Sequence, residues 1–339
     1  MESITKNRQP AETLRALVRR AYGPDLEPLG PDAAWAQELG HGWFNVAYRV
    51  TLRDGRDVVL KIAPPADVPV MTYERDAMRI ELASLAMIAE RTTVPVPPVD
   101  HADLGHDLVD ADWFAMPFVA GDNLGVVKGA MAPAERAAYG EALGALNREL
   151  NTLRGPWFGP LAGPGDASWR VVFTGLVEDV LRDGERRGVD VGWAYDVVRE
   201  AVAEHAHVLD EVTEPRFVEW DLCDLNVIVR DGRIACVIDH ERALWGDPLM
   251  EAGFAGSHLP AYGDATAFMR GYGITDLTGG ALARRRLYTL HLALVMVIET
   301  VYRGHTDSCQ YDWARERVDE VMAQLGRFRA APPAVQDGG

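Results

Sequence analysis

Three oxygen-bearing side chains, Asp221, Asn226 and Asp239, bracket a short apolar pattern in the stretch FVEWDLCDLNVIVRDGRIACVIDHERALWGDPLME, which runs from Phe217 to Glu251. Two hydrophobic runs, Val227 to Val229 and Ile234 to Ile238, flank Asp231 and Gly232, and an Asp-Gly pair in that setting predicts a tight β-hairpin. Asp221 and Asn226 stand before the first strand and Asp239 ends the second, so folding the hairpin brings the three side chains together. Such oxygens are hard ligands of the kind that Mg²⁺ shares with phosphate groups, and a carboxylate beside them is placed to orient a hydroxyl. A surface hairpin with polar ends has the same composition, because Asp, Asn and Gly dominate turns. The local pattern leaves both readings open.

Asp221, four intervening residues, Asn226, a hairpin and then Asp239 resemble the catalytic loop and metal-binding Asp of the protein-kinase-like fold. The version here is similar to the aminoglycoside phosphotransferase and choline kinase-like family. That family's pattern reads His-Gly-Asp, then Asn, then Ile-Asp followed by Trp or Phe, then Gly-Asp-Pro. This chain has Glu219-Trp220-Asp221, Asn226, Ile238-Asp239-His240 and Gly246-Asp247-Pro248. The acids and the Asn match, while Glu219, Trp220 and His240 depart from the pattern. Glu219 still accepts hydrogen bonds, so its replacement of the family His reads as a change in loop support. Asp247 and Pro248 look like an N-cap and first-turn proline, opening a helix that carries Glu251.

The elements needed to position a nucleotide precede this stretch. Ala11 to Tyr22 has Leu14, Leu17, Val18 and Tyr22 at helical spacing. A strand pattern from Trp35 to Leu39 leads into Gly40, His41, Gly42, Trp43, Phe44 and Asn45; Val46 to Leu52, an Asp54-Gly55 turn and Asp57 to Ile62 follow. Glycines between strands let backbone N–H groups approach phosphates. Lys61 is the one charged residue in the apolar run Val58 to Ile62. Tyr73 to Arg91 has a helical apolar pattern and stops before Val94-Pro95-Val96-Pro97-Pro98. The apolar strand Trp113 to Val119 ends at Ala120 and Gly121.

The resemblance implies roles for these positions. Gly40, Gly42 and Asn45 would form the nucleotide-binding glycine loop, and Lys61 would pair with nucleotide phosphates while held by Glu81, with Glu74 as the alternative. Met116, Pro117 and Val119 would be the hinge, where adenine meets the Pro117 carbonyl and the Val119 N–H. Asp221 would act on the proton of the acceptor hydroxyl, and Asn226 with Asp239 would hold Mg²⁺. Glu241, Trp245 and Glu251 follow closely enough to face an acceptor.

The expected fold is therefore α+β: a bilobal protein-kinase-like fold with a small antiparallel-sheet N-lobe carrying a helix and a larger, mainly helical C-lobe. The expected divisions are residues 1–119, 120–330 and a disordered tail at 331–339. Helices are predicted over Ala132 to Leu153, Trp169 to Arg187 and Val191 to Val212, with three more between Ala261 and Arg329.

With 339 residues, 48% of them hydrophobic, the chain can bury a sizeable core. A net charge of −17 argues against a nucleic-acid partner, which needs clustered Lys and Arg. Cys223, Cys236 and Cys309 have no metal-ligand spacing, and an odd number of cysteines fits a reducing cytoplasm. The first ten residues lack the apolar core of a secretory signal, and Leu287 to Val301, interrupted by His291 and Glu299, reads as a buried helix and not a membrane span. The expected function is transfer of the γ-phosphate of ATP or GTP to a hydroxyl of a small molecule, foremost an antibiotic such as an aminoglycoside. A metabolic kinase of a sugar or amino alcohol is the second reading, and a nucleotide-binding pseudokinase the third. Oligomeric state is not readable from the sequence.

Overall fold

The computed structural model describes residues 2–28, 30, 33–40 and 42–327; His41 of the glycine loop and the tail expected at 331–339 lie outside the described residues. Helix α1 (Ala11–Tyr22) precedes β1 (Ala36–Glu38), β2 (Val46–Thr51) and β3 (Asp57–Ile62). Helix α2 (Ala77–Arg91), β4 (His101–Asp103) and β5 (Trp113–Pro117) complete an antiparallel sheet ordered β1-β2-β3-β5-β4.

The two-residue period of β3 decides where Lys61 goes. Val58, Leu60 and Ile62 pack with Leu14, Leu17 and Val18 of α1 in one core, so Val59 and Lys61 face the opposite side. On that side α2 packs through Met78 and Leu85 against Phe114. The strand register therefore aims Lys61 towards α2.

The rest of the chain is mainly helical. In order it runs β6 (Asp122–Asn123), α3 (Leu124–Val127), α4 (Pro133–Leu150), β7 (Gly159–Pro160), α5 (Trp169–Arg187), α6 (Tyr195–His205) and β8 (Arg216–Val218). There follow β9 (Val227–Arg230), β10 (Arg233–Val237), β11 (Leu244–Gly246), α7 (Thr266–Tyr272), α8 (Gly279–Arg303) and α9 (Cys309–Gln324). Helix α8 is the buried spine of this part, with α5 and α9 against it. Among the described residues no helix is long and apolar enough to cross a membrane. Two small sheets, β10-β9-β6 and β7-β11-β8, carry the stretch from Phe217 to Glu251. The β9–β10 turn has positive φ at both Asp231 (52°) and Gly232 (74°), the geometry that a two-residue hairpin demands.

Several expected boundaries move for local reasons. The helix predicted from Tyr73 begins at Ala77, because Thr72–Glu74 form a separate 3₁₀ turn and Asp76 takes a left-handed conformation (φ 61°). The helix predicted from Val191 begins at Tyr195, after a turn in which Asp190 accepts the Gly192 N–H at 2.7 Å. Strand β5 stops at Pro117 because its partner β3 begins at Asp57, whose carbonyl takes the Phe118 N–H at 3.0 Å. Asp247 does cap, accepting the Leu249 N–H at 3.1 Å, but what it opens is the single 3₁₀ turn Pro248–Met250. Glu251 lies after that turn and not on an α-helix.

Candidate active site

Lys61, aimed at α2 by the register of β3, donates to Glu81 Oε2 at 2.6 Å and to Asp239 Oδ1 at 2.5 Å. Glu241 Oε2 lies 3.6 Å from the same nitrogen. The partner on the N-terminal side is thus Glu81. Glu74 instead accepts the Met71 N–H at 2.8 Å and pairs with buried Arg303. Burial disfavours a charge on Lys61, but the carboxylates of Asp239, Glu81 and Glu241 outweigh it and hold the ammonium protonated far above its usual range. Burial likewise opposes ionisation of Asp239, and Lys61 overcomes it, keeping that carboxylate below its usual range.

Oxygens of Glu81, Asp239 and Glu241 all lie within 4.8 Å of one another, a donor set suited to a hard divalent cation. Asn226 turns its Nδ2 to the Asp221 carbonyl at 2.9 Å, which leaves its amide oxygen as an acceptor on the other side. The Asn226 carbonyl accepts the Ile238 N–H at 3.0 Å, fastening the loop of Asp221 to the residue before Asp239. The residues present therefore fit Mg²⁺.

Asp221 is 28% exposed at its side chain, with Arg242 Nε 3.6 Å away. Burial raises its carboxyl to about 6, with Arg242 opposing the rise. Arg242 lies against the Tyr73 and Trp220 rings, at 5.2 and 5.3 Å, beside an edge-to-face pair whose own centroids are 5.2 Å apart, and reaches Glu299 at 3.8 Å. Nothing in the sequence pattern singles out Arg242; its place three residues after Asp239 is the one signal it leaves.

The three departures from the family pattern are all engaged. Glu219 Oε1 lies 2.5 Å from His240 Nδ1, and both side chains are buried. Trp220, where the pattern has Gly, has φ 45°, in the region glycine favours. Its ring is 4% exposed, packs on Tyr73 and His291, and donates its indole N–H to the Arg242 carbonyl.

Of the residues expected to meet an acceptor, two are turned into the core and one joins the Lys61 cluster. Glu251 is fully buried and accepts the backbone N–H groups of Leu222 (2.7 Å) and Glu219 (3.2 Å), so it fixes the backbone of the Asp221 loop from inside. Trp245 is buried against Phe217, since β11 turns that side chain into the core. Glu241 belongs to the Lys61 cluster. Asn45 is buried and donates its amide to Glu241, so its side chain ties the glycine loop to the Asp239 loop.

Gly40 and Gly42 have no positive φ, and a Cβ would meet nothing within 4 Å at Gly40 and only ordinary contact at Gly42. Packing among the described residues does not demand these glycines; what they leave open is approach from outside. Met116, Pro117 and Val119 are half-buried where the chain leaves β5. The segment before α1, unremarked by sequence patterning, fastens the glycine loop: Thr5 Oγ1 donates to the Trp43 and Phe44 carbonyls at 2.9 and 3.0 Å, and the Ile4 N–H to the Arg303 carbonyl at 3.0 Å.

With this geometry in hand, the comparisons with known proteins agree on one fold. Residues 35–288 match the model of the phosphotransferase enzyme family. No curated protein sequence matches the chain. A thermostable mutant of aminoglycoside phosphotransferase APH(4)-Ia, solved with ADP and hygromycin B, superposes with a TM-score of 0.65 at 17% identity, covering 94% of this chain and 100% of the other. A candidate fructosamine-3-kinase from Thermobifida fusca gives 0.62 at 22% identity, with 91% and 99% coverage. The streptomycin-ATP-APH(2'')-IIa ternary complex gives 0.58 at 15% identity, with 95% and 99% coverage. The chain has the protein-kinase-like fold of these structures and belongs to the phosphotransferase enzyme family.

Proposed function

We propose that this protein transfers the γ-phosphate of ATP or GTP to a hydroxyl group of a small molecule. The observation that carries the reading is the junction at Lys61: one ammonium joins Glu81 of α2 to Asp239, and Asp239 is tied through Ile238 and Asn226 to the loop of Asp221. Phosphoryl transfer asks mainly that the phosphate be positioned and its charge compensated. Lys61, held by Glu81, neutralises nucleotide phosphates. Asn226 and Asp239 would hold Mg²⁺, with Glu241 beside them, and the ion would supply charge neutralisation on the phosphate oxygens. Asp221, with its carboxyl near 6, is ionised at neutral pH and takes or orients the acceptor's proton. Arg242 keeps that carboxylate oriented. The hinge residues Met116, Pro117 and Val119 receive the adenine or guanine edge through their backbone.

An antibiotic hydroxyl is the favoured acceptor, because similar structures include complexes with hygromycin B and streptomycin. The likeness to a candidate fructosamine-3-kinase supports the second reading, a metabolic kinase of a sugar-like substrate. Transfer from ATP and from GTP across a panel of aminoglycosides, other antibiotics, sugars and amino alcohols, with the product position assigned by NMR, separates the two. Asp221→Asn is expected to lower turnover at least about a hundredfold while nucleotide still binds. Nucleotide binding by the wild type with no transfer to any acceptor would sink the proposal in favour of a non-catalytic module.

A further inference from the structure

Glu219 and His240 have no part in the chemistry just described, yet they join its two halves. Glu219 precedes Asp221 by two residues and His240 directly follows Asp239. Their side chains meet at 2.5 Å in a contact from which solvent is all but excluded, with 4% and 0% of the two side chains exposed. The contact is anchored beyond both ends. His240 Nε2 faces the Val237 carbonyl at 3.2 Å, at the end of β10, and the Glu219 N–H is held by Glu251 at 3.2 Å.

Both loops need such a tie. Each holds a non-glycine residue in the left-handed region next to a member of the pair, Trp220 at φ 45° and Asp239 at φ 70°. Backbone of this kind persists only where its surroundings over-determine it. The family pattern has a His where this chain has Glu219, and here the imidazole stands on the opposite loop. Two departures that look independent in the sequence meet each other in one contact.

We propose that Glu219 and His240 are a positioning pair, whose contact sets the separation between the residue that handles the acceptor hydroxyl and the residue that holds the metal and nucleotide. The inference rests on the phosphotransferase reading above. Neither residue touches substrate. Each acts through its neighbour, Glu219 on Asp221 and His240 on Asp239. Restoring the family residue on one side alone therefore damages the enzyme: Glu219→His sets two imidazoles against each other where one carboxylate met one ring.

The test is a double-mutant cycle on the full chain, with kcat, both KM values, Mg²⁺-nucleotide affinity and thermal stability measured for every variant. Glu219→His, Glu219→Ala and His240→Ala are each expected to lower kcat by about ten- to a hundredfold, the usual cost of losing a partner that orients a metal-site residue. KM for the acceptor should stay within about threefold, since no substrate contact is removed. Glu219→Gln, which keeps an acceptor oxygen, should be the mildest single change and remains informative if the alanine variants fold poorly. The exchanged double variant Glu219→His/His240→Glu should recover most of the kcat lost by Glu219→His. Loss of thermal stability with kcat per folded molecule intact would overturn the proposal, as would an exchanged variant no better than the worse single change. Failure of the wild type to bind Mg²⁺ with ATP or GTP would instead refute the phosphotransferase reading, a different result from wild-type binding and turnover that the single changes leave untouched.

Discussion

Replacing Trp220 by the residue of the family pattern, Gly, should destabilise the protein, and replacing it by Ala should destabilise it more. The ring is 4% exposed, between Tyr73 and His291 and against Arg242. Removing a buried Trp side chain costs about 3–5 kcal/mol, and both substitutions pay that cost. They differ in the backbone. At φ 45° an L-residue carries a strain of about 1–2 kcal/mol that Ala keeps and Gly sheds. Gly gives back about 0.5–1 kcal/mol through the greater freedom of its unfolded chain. The net expectation is Trp220→Gly above Trp220→Ala by about 0.5–1 kcal/mol and below wild type by about 2–4 kcal/mol. Urea denaturation with unchanged slopes reads the order from the midpoints. In an ordinary helix or strand Ala is the more stable of the two, so the inverted order is specific to a left-handed residue. Ala equal to or above Gly would refute the conformational account, and a Gly variant at wild-type stability would refute the packing account. Both substitutions also remove one of the two rings that Arg242 rests against, so kcat should fall about tenfold, towards the lower end of the range for an orienting partner.

Three further outcomes follow from the same contacts. Lys61→Met leaves Glu81, Asp239 and Glu241 without their cation, which should cost about 3–5 kcal/mol; Mg²⁺ without nucleotide should raise the melting temperature of this variant more than that of wild type, and an equal response would mean that the three carboxylates do not form a cation site. Glu251→Gln puts an amide NH₂ either where the Leu222 and Ala252 N–H groups need an acceptor or where the Glu219 N–H does, and should destabilise by about 1–3 kcal/mol with a parallel loss of kcat; wild-type kinetics would show that the loop does not depend on those bonds. His291 is buried, and burial lowers its pKa from 6.5 to about 3, so the unfolded chain binds a proton between those values that the folded chain refuses. Stability from this group is complete above about 6.5 and is lost as pH falls, so between pH 7.5 and 5.5 the stability of His291→Leu relative to wild type should improve by about 1–1.5 kcal/mol. A pH-independent difference between the two proteins would exclude a neutral, buried imidazole at that position.

What the sequence made legible was local and periodic. Alternation in β3 put Lys61 on the face opposite Val58, Leu60 and Ile62, and that face is where α2 brings Glu81. The Asp231-Gly232 pair set the β9–β10 turn, and with it the approach of Asn226 to Ile238. These features follow from backbone geometry acting over a few residues, so a single sequence carries them. Closeness in sequence to Asp239 was a poor guide to which side chains face the cleft. Glu241, Trp245 and Glu251 all follow Asp239 within twelve positions, yet the first joins the Lys61 cluster, the second fills the core and the third grips backbone from inside. Their directions are decided by β11 and by the 3₁₀ turns after it, which are too short to leave a period in the sequence.

The departures at Glu219, Trp220 and His240 show why the remainder was illegible. Each looks like damage to a catalytic pattern when taken alone, and the departure at Glu219 and Trp220 is what favours a protein without chemistry. In the fold, Glu219 and His240 satisfy each other, and the indole of Trp220 binds the carbonyl of Arg242, whose guanidinium stands beside Asp221. A residue that loses its family partner should leave an unpaired polar group in the core, and a buried carboxylate or imidazole in that state is costly. Neither Glu219 nor His240 is left so. The two residues answer each other beside Asp221 and Asp239, and only a contact spanning 21 residues reveals it.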